Sequence, residues 1–291
     1  MLRAPDLPLT EALPGSARPN DPVKSAVFDR INADRAGAGL PPVAWDEPAA
    51  RVADRFCAEQ IREGTRGHFL TDGVPPYART AFAGIFGFQA ENAVAWVSSG
   101  QEFRETSVEL ALAGQAEMMA EVPPEDGHRR TILDPHATHV GVGWAEEGGR
   151  FRMAQEFLTR RLGQLTLERV AQDPSTILFR GRPAPPYRVD FVTFASEESP
   201  EPLTREEANA RARYAYPPPG LAFTPEGYKS MQILGTLTED RLRLEPNGAF
   251  SFRFTPRERG LWTVTFHTSI GRERAVPGGL AVLWVDRIGA P

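Results

Sequence analysis

Residues 138–158, THVGVGWAEEGGRFRMAQEFL, predict a β-hairpin near the middle of the chain. Apolar side chains alternate with small or polar ones before and after Gly148-Gly149, and alternation on both sides of a glycine turn is typical of two antiparallel strands. The Gly-Val-Gly at 141–143 is not a dinucleotide-binding loop, because a strand and a turn follow it where such a loop leads into a helix. The hairpin therefore predicts a sheet.

Three helices are predicted before the hairpin. Residues 21–39 and 46–64 each begin with an aspartate that can cap a helix, carry apolar residues at helical spacing and end at glycine. A third helix is predicted at 106–122, where two prolines end it. Residues 65–100 are predicted to be irregular and, because they carry bulky side chains between turn formers, to line a site. The order of these elements predicts helices packed on a sheet.

The second half of the chain predicts an all-β domain. Strands are expected at 176–180, 187–194, 230–238, 241–245, 249–255, 261–268 and 280–286. The pair Asn247-Gly248 indicates a tight turn between two of them. Thr204 and Glu207 form a capping-box pattern, which predicts a short helix inserted between strands. A small β-sandwich is the expected architecture.

Length and composition indicate a soluble protein with two cores. The chain has 291 residues, and the predicted organisation is an arm at 1–21, a first domain at 22–162 and a β-sandwich-like domain at 163–291. A net charge of -5 lacks the basic excess of nucleic-acid-binding proteins, so no nucleic-acid partner is expected. No stretch of eighteen apolar residues predicts a transmembrane segment, and the arm lacks the apolar run of a signal peptide.

Local motifs do not identify a reaction. The sequence contains no H-E-x-x-H, no paired C-x-x-C, no phosphate-binding loop and no G-x-S-x-G, and its single cysteine, Cys57, is predicted to pack in the core. His128, His136 and His139 lie within twelve positions, but their spacing has no geometric basis as a zinc motif. His136 and His139 are predicted to be solvent-facing loop residues. His267 is predicted on the solvent-facing side of a strand.

Four segments, taken in their order and spacing, resemble the CAP superfamily of cysteine-rich secretory, venom-allergen (antigen-five) and pathogenesis-related proteins, and its bacterial branch in particular. They are VFDRINADRAGAGLPPVAWD at 27–46, GHFLTDG at 67–73, FQAENAV at 88–94 and GHRRTILDPHATHVGVGWA at 127–145. The resemblance covers about residues 22–160. It implies an α-β-α sandwich with a cleft, so the expected fold class is α+β, with this sandwich followed by the C-terminal β-domain.

The resemblance implies that two histidines and two acidic residues converge in the cleft. Motif matching assigns His68, Glu91 and His128 to three of these places, and Glu121 is favoured over Glu125 for the fourth. Such a set could hold Zn²⁺ or another divalent cation. It could also be a polar cluster that only cross-links the loops around the cleft.

The neighbouring Arg129 could contact an anionic ligand or form a salt bridge with Asp134 or Glu125. The leading hypothesis is an exported bacterial CAP protein, secreted or periplasmic, whose cleft binds a divalent metal and a small-molecule, peptide or lipid ligand. In this hypothesis the C-terminal β-domain is a binding module, and a non-enzymatic role is favoured.

Two alternatives use the same cleft. The first is a peptidase-like, metal-dependent hydrolase, in which Glu91 or His128 would take part in catalysis. The second is a lipid-binding protein, in which the polar cluster is purely structural and an apolar groove lies nearby. The aromatic residues expected along that groove are Phe69, Phe82, Phe86, Phe88 and Trp96.

Overall fold

The computed structural model describes residues 2–3, 18–100, 102–225 and 242–286. The helices in these ranges are α1 (Pro22–Gly37), α2 (Glu47–Glu63), α3 (Pro76–Phe82), α4 (Ser107–Ala120), α5 (Gly127–Ile132) and α6 (Arg205–Ala210). The strands are β1 (Leu2–Arg3), β2 (Ala44–Trp45), β3 (Phe88–Val97), β4 (His139–Glu147), β5 (Arg150–Thr159), β6 (Leu162–Val170), β7 (Asp173–Pro183), β8 (Arg188–Glu197), β9 (Leu221–Phe223), β10 (Arg243–Leu244), β11 (Phe250–Phe254), β12 (Gly260–Ser269) and β13 (Val276–Val285). Among the described helices, none is both long and apolar enough to cross a bilayer.

The first domain is a three-layer α-β-α sandwich. Its sheet has the strand order β2-β4-β5-β3, and the predicted hairpin forms β4 and β5. Helices α1 and α4 pack with apolar side chains of one sheet face, and α2 packs on the other face through Ala53, Phe56 and Cys57. The three predicted helices are confirmed as α1, α2 and α4, with side-chain caps from Asp21, Asp46 and Thr106.

Segment 65–100 is more regular than predicted, because it contains α3 and the ten-residue strand β3. Strand β3 pairs with β5 in antiparallel register along its whole length. Buried polar residues near its start interrupt the alternation by which a strand is recognised, and its pairing partner lies far along the chain. Helix α5 was not predicted.

The Gly-Val-Gly of β4 allows the sheet to lie close to α2. A Cβ atom on Gly141 or Gly143 would lie 2.2 and 2.1 Å from backbone nitrogens of α2. Val140, before Gly141, and Val142, between the two glycines, point to the opposite face of the sheet and pack in the core with α1 and α4. The absence of a side chain at both glycines therefore sets the distance between helix and sheet.

The second half of the chain is a two-sheet β-structure. One sheet has the order β1-β13-β12-β8-β9 and the other β10-β11-β7-β6, and phenylalanines from both form a shared core. The strands predicted from 176 to 286 are confirmed as β7, β8 and β10 to β13, whereas that at 230–238 lies outside the described residues. Strands β1, β6 and β9 were not predicted. The short inserted helix is confirmed as α6, with its capping box.

The outer face of the five-stranded sheet packs against helix α3 of the first domain. Tyr77, Ala78 and Ala81 of α3 form one apolar cluster with Leu261 and neighbouring residues of β12 and β13. This packing buries a face that the sequence indicated as solvent-facing. His267 lies farther along β12 and is half-buried rather than solvent-facing, because its ring stacks on Phe191 of β8 at 4.2 Å; burial lowers its pKa to about 4.

Candidate functional site

A cleft in the first domain opens into a cavity of about 530 Å³. One wall is the start of β3, residues 88–92, together with His68 from the turn after α2. The opposite wall comes from residues 121–131, the connection from α4 into α5. A third wall comes from residues 212–216, which belong to the second half of the chain. The cavity size is in the range of small-molecule sites.

His68, Glu91 and Arg79 form a buried chain of contacts behind one side of the cavity. His68 Nδ1 lies 2.9 Å from Glu91 Oε1, and Arg79 Nη2 donates to Glu91 Oε2 at 2.6 Å. Burial and the adjacent Arg79 guanidinium lower the pKa of His68 to about 4. The ring is therefore neutral at pH 7, donates its Nδ1–H to the carboxylate and keeps the Nε2 lone pair.

A second carboxyl group, Glu156, lies beside Glu91. The two residues are register partners on β5 and β3, and Gln89 donates its side-chain amide to Glu156. Burial raises the pKa of Glu156 well above its ordinary value, and the neighbouring Glu91 raises it further. Burial also raises the pKa of Glu91, against the effect of Arg79. Among the described residues Arg79 is the cation beside these two carboxyls, so we expect the pair to retain one proton, on Glu156.

His128 has a carboxylate partner of its own on the other side of the cavity. Glu121 follows the last residue of α4 and binds the Nδ1 of His128 through one oxygen. Its other oxygen accepts the backbone N–H of His128 at 2.9 Å and that of Arg129 at 3.3 Å. Glu125 lines the same cavity but is exposed. The geometry therefore supports Glu121 as the acidic partner of this histidine.

The two imidazoles face the same cavity in the same manner. Their ring centroids lie 6.4 Å apart, and each Nδ1 contacts a carboxylate; in the described part of the chain, neither Nε2 has a carboxylate partner. Within the described ranges, no three His, Cys, Asp or Glu side chains are arranged around one metal position. The predicted set of four ligands thus falls into two imidazoles and two carboxylates behind them, an arrangement common around metal-binding histidines.

The sequence model of the CAP family, the cysteine-rich secretory protein family, matches residues 28–159. Residues 28–159 are therefore the CAP-like part of the chain, and this part is called the CAP domain. A comparison with the curated proteins gave no match.

Solved structures similar to the chain include an extracellular SCP-domain protein from Bacillus anthracis, with 22% identity and a TM-score of 0.37 over 49% of this chain and 45% of that one. An outer surface protein from Borrelia burgdorferi is 13% identical, with a TM-score of 0.37 over 45% of this chain and 88% of that one. Venom allergen-like protein 4 from Schistosoma mansoni is 11% identical, with a TM-score of 0.33 over 47% and 88%. The chain thus spans less than half the length of the Bacillus protein.

Several residues of the CAP cleft were not predicted. Arg79 and Glu156 were missed because their place depends on α3 and on the β3–β5 register. Asn92 stands in the quoted Glu-Asn motif and donates to the backbone oxygen of His128 at 3.2 Å. Tyr214 also lines the cavity but comes from outside the CAP domain. The sequence feature that could have pointed to it is the alternation Tyr-Ala-Tyr at 214–216, before three prolines.

The remaining predicted residues lie away from the CAP cavity. Arg129 does not line it; the adjacent Arg130 does, and pairs with Asp126 at 3.2 Å. His136 is half-buried, with Nδ1 3.3 Å from an Arg161 nitrogen. The prediction of a solvent-facing His139 is wrong: it opens strand β4, is buried, and has its pKa lowered to about 4 by burial.

The aromatic side chains expected along a lipid groove do not line one surface. Phe86 belongs to the core of the C-terminal β-structure, whereas Phe82 and Phe88 pack at its junction with α3. Trp96 packs against the apolar cluster beneath α1 and α4. Phe69 is buried, and of the five only Phe88 lines the CAP cavity. Their dispersal over separate cores removes the observation on which that alternative depended.

Proposed function

We propose that the CAP cleft binds a divalent transition-metal ion, such as Zn²⁺, through the Nε2 atoms of His68 and His128, and that a small ligand completes the site. The supporting observation is that both rings contact a carboxylate through Nδ1. A histidine that donates its other ring N–H to a carboxylate is held in the tautomer and orientation that metal binding requires.

The chemistry of the donor set fits such an ion. The neutral ring of His68 offers a nitrogen lone pair at pH 7, and imidazole nitrogen is a preferred ligand of Zn²⁺, with bonds of about 2.0–2.1 Å. Two protein ligands would leave coordination positions for water or for a donor atom of the small ligand. The cavity beside the rings supplies the space for that ligand.

The geometry favours binding over hydrolysis. Both carboxylate oxygens of Glu91 are engaged, one by His68 and the other by Arg79. A carboxylate held in this way is poorly suited to take a proton from water, which the hydrolase alternative requires. We therefore propose that Glu91 and Glu121 hold the two histidine rings in position and do not take part in a reaction.

Equilibrium dialysis with Zn²⁺, and visible absorption with Co²⁺ as a probe of coordination, test the proposal. His68→Gln and His128→Gln should each raise the metal dissociation constant by about tenfold or more. His267→Gln is the matched control, because that ring stacks on Phe191 in the other half of the chain. Metal uptake that is unchanged in the double variant of His68 and His128 would overturn the proposal.

We infer further that the protein acts outside the cytoplasm, secreted or in the periplasm of a bacterium, as its resemblance to bacterial CAP proteins implies. In this assignment the C-terminal β-structure is a binding module attached to the CAP domain. Cell fractionation with an antibody against the full chain tests the location. Recovery of the protein with cytoplasmic markers alone would contradict it.

A further inference from the structure

Residues 211–216, which follow α6, lie across the CAP cleft and are called the tyrosine strap. Tyr214 and Tyr216 alternate along it and reach β3, the edge strand of the CAP sheet. The hydroxyl of Tyr214 accepts the backbone N–H of Glu91 at 2.6 Å. The hydroxyl of Tyr216 accepts the N–H of Gln89 at 3.3 Å and donates to its carbonyl oxygen at 2.8 Å. Two tyrosines therefore occupy consecutive outward-facing positions of the strand edge.

The rings of the same tyrosines pack on the site. Tyr214 stands edge-on to His68, with centroids 5.0 Å apart and an interplanar angle of 70°. Tyr216 stacks with Phe88 and with Tyr77, each at 4.5 Å. In the described part of the chain, the hydrogen bonds that join the strap to β3 are all made by tyrosine hydroxyls. The strap is held by side chains, not by added strand pairing.

We propose that the tyrosine strap is a built-in wall of the CAP cleft, in which Tyr214 is a positioning residue for His68. One side chain holds both members of the His68–Glu91 pair: its ring abuts the imidazole, and its hydroxyl binds the backbone of the glutamate. The residue belongs to the second half of the chain, so the metal affinity of the CAP domain depends on that half. This dependence rests on the proposed metal binding.

The strap also restricts the class of ligand. An extended peptide that joined the edge of β3 as an extra strand would need the N–H groups of residues 89 and 91. Both are already bound by tyrosine hydroxyls. The strap therefore excludes a peptide that binds by strand addition at these positions, and the cavity between the strap and α5 leaves space for a small molecule.

Residue-resolved amide exchange of the metal-free, full-length chain tests the wall without any reference to metal. Tyr214→Phe should accelerate exchange of the Glu91 amide by about two- to tenfold, because it removes one acceptor and keeps the ring. Amides of β3 that pair with β5 should not change. Tyr187→Phe is the matched control, since that ring stacks on Arg161. An unchanged exchange rate of the Glu91 amide in Tyr214→Phe would overturn the proposal that the strap forms a wall of the cleft.

Zinc dissociation constants test the positioning role. Tyr214→Leu, which removes the ring beside His68, should raise the constant by about tenfold or more, whereas Tyr214→Phe should recover most of the affinity. Equal affinities of wild type and Tyr214→Leu would refute the positioning role. If wild type binds no zinc, the proposed function and this dependence fail together, while the exchange of the Glu91 amide still decides whether the wall exists.

Discussion

The free energy of unfolding of the native protein should fall as pH rises, because Glu156 is buried. Replacing Glu156 with Gln should abolish this part of the pH dependence. Glu156 is fully buried beside Glu91, and burial together with the charge of Glu91 raises its pKa well above the ordinary value of 4.5. The unfolded chain releases this proton near pH 4.5, whereas the folded chain retains it to a higher pH. Between these two pKa values the folded state holds one proton more, so the free energy of unfolding falls as pH rises.

The magnitude follows from the number of protons. One proton held only by the folded state lowers the free energy of unfolding by about 1.4 kcal/mol for each unit of pH. A glutamine at this position has no proton to release. Its amide can donate to Glu91 and its oxygen can accept from Gln89, so the hydrogen bonds of the carboxylic acid are retained. The variant should therefore gain stability over wild type steadily from about pH 5 upwards.

Urea unfolding of metal-free protein at several pH values between about 5 and 8 measures this difference. Glu168→Gln is the control, because Glu168 is an exposed residue of β6 whose ion pair with Arg180 lies at the surface. Its free energy should run parallel to that of wild type. Parallel curves for wild type and Glu156→Gln would show that Glu156 is ionised in the folded protein and would refute the assignment of the proton.

Two further predictions concern packing and a buried ion pair, both measured by urea unfolding. Gly143→Ala should lower the free energy of unfolding by about 1–3 kcal/mol, because its Cβ would lie 2.1 Å from a backbone nitrogen of α2, whereas Gly220→Ala has open space and should change little. Arg160→Met should cost about 3–5 kcal/mol, since it leaves the buried Asp46 without its cation. The same change at the exposed Arg180 should cost less than about 1 kcal/mol.

The parts of the fold that the sequence predicted are those specified locally. Helices α1, α2 and α4 each carry an N-terminal side-chain cap close to their apolar periodicity, and the hairpin has its turn glycines between two alternating runs. Strand β3 lacks such a local signal. Its first residues include the buried polar Gln89, Glu91 and Asn92, which are stabilised by groups on other elements. A strand whose burial depends on distant partners cannot be recognised from alternation alone.

In the candidate site, too, the sequence indicated some residues and left out those whose place depends on distant contacts. Resemblance to the CAP family located His68, Glu91, Glu121 and His128, which the fold does bring to one cavity. The sequence did not indicate that each carboxylate lies behind a histidine, because this depends on rotamers and on the start of α5. The role of Glu156 was also hidden, since only the register between β3 and β5 places it beside Glu91.

Charge balance connects the buried acidic pair to the proposed metal site. If Glu156 retains its proton, as predicted above, then Arg79 offsets the charge of Glu91 and His68 is neutral, so the buried group of the metal-free cleft carries no net charge. A divalent cation on His68 would place two positive charges next to this group. Positive charge favours the ionised form of a nearby carboxyl, so it would lower the pKa of Glu156 and promote release of the shared proton. From its place beside Glu91, Glu156 would thus offset part of the charge of a cation bound at His68.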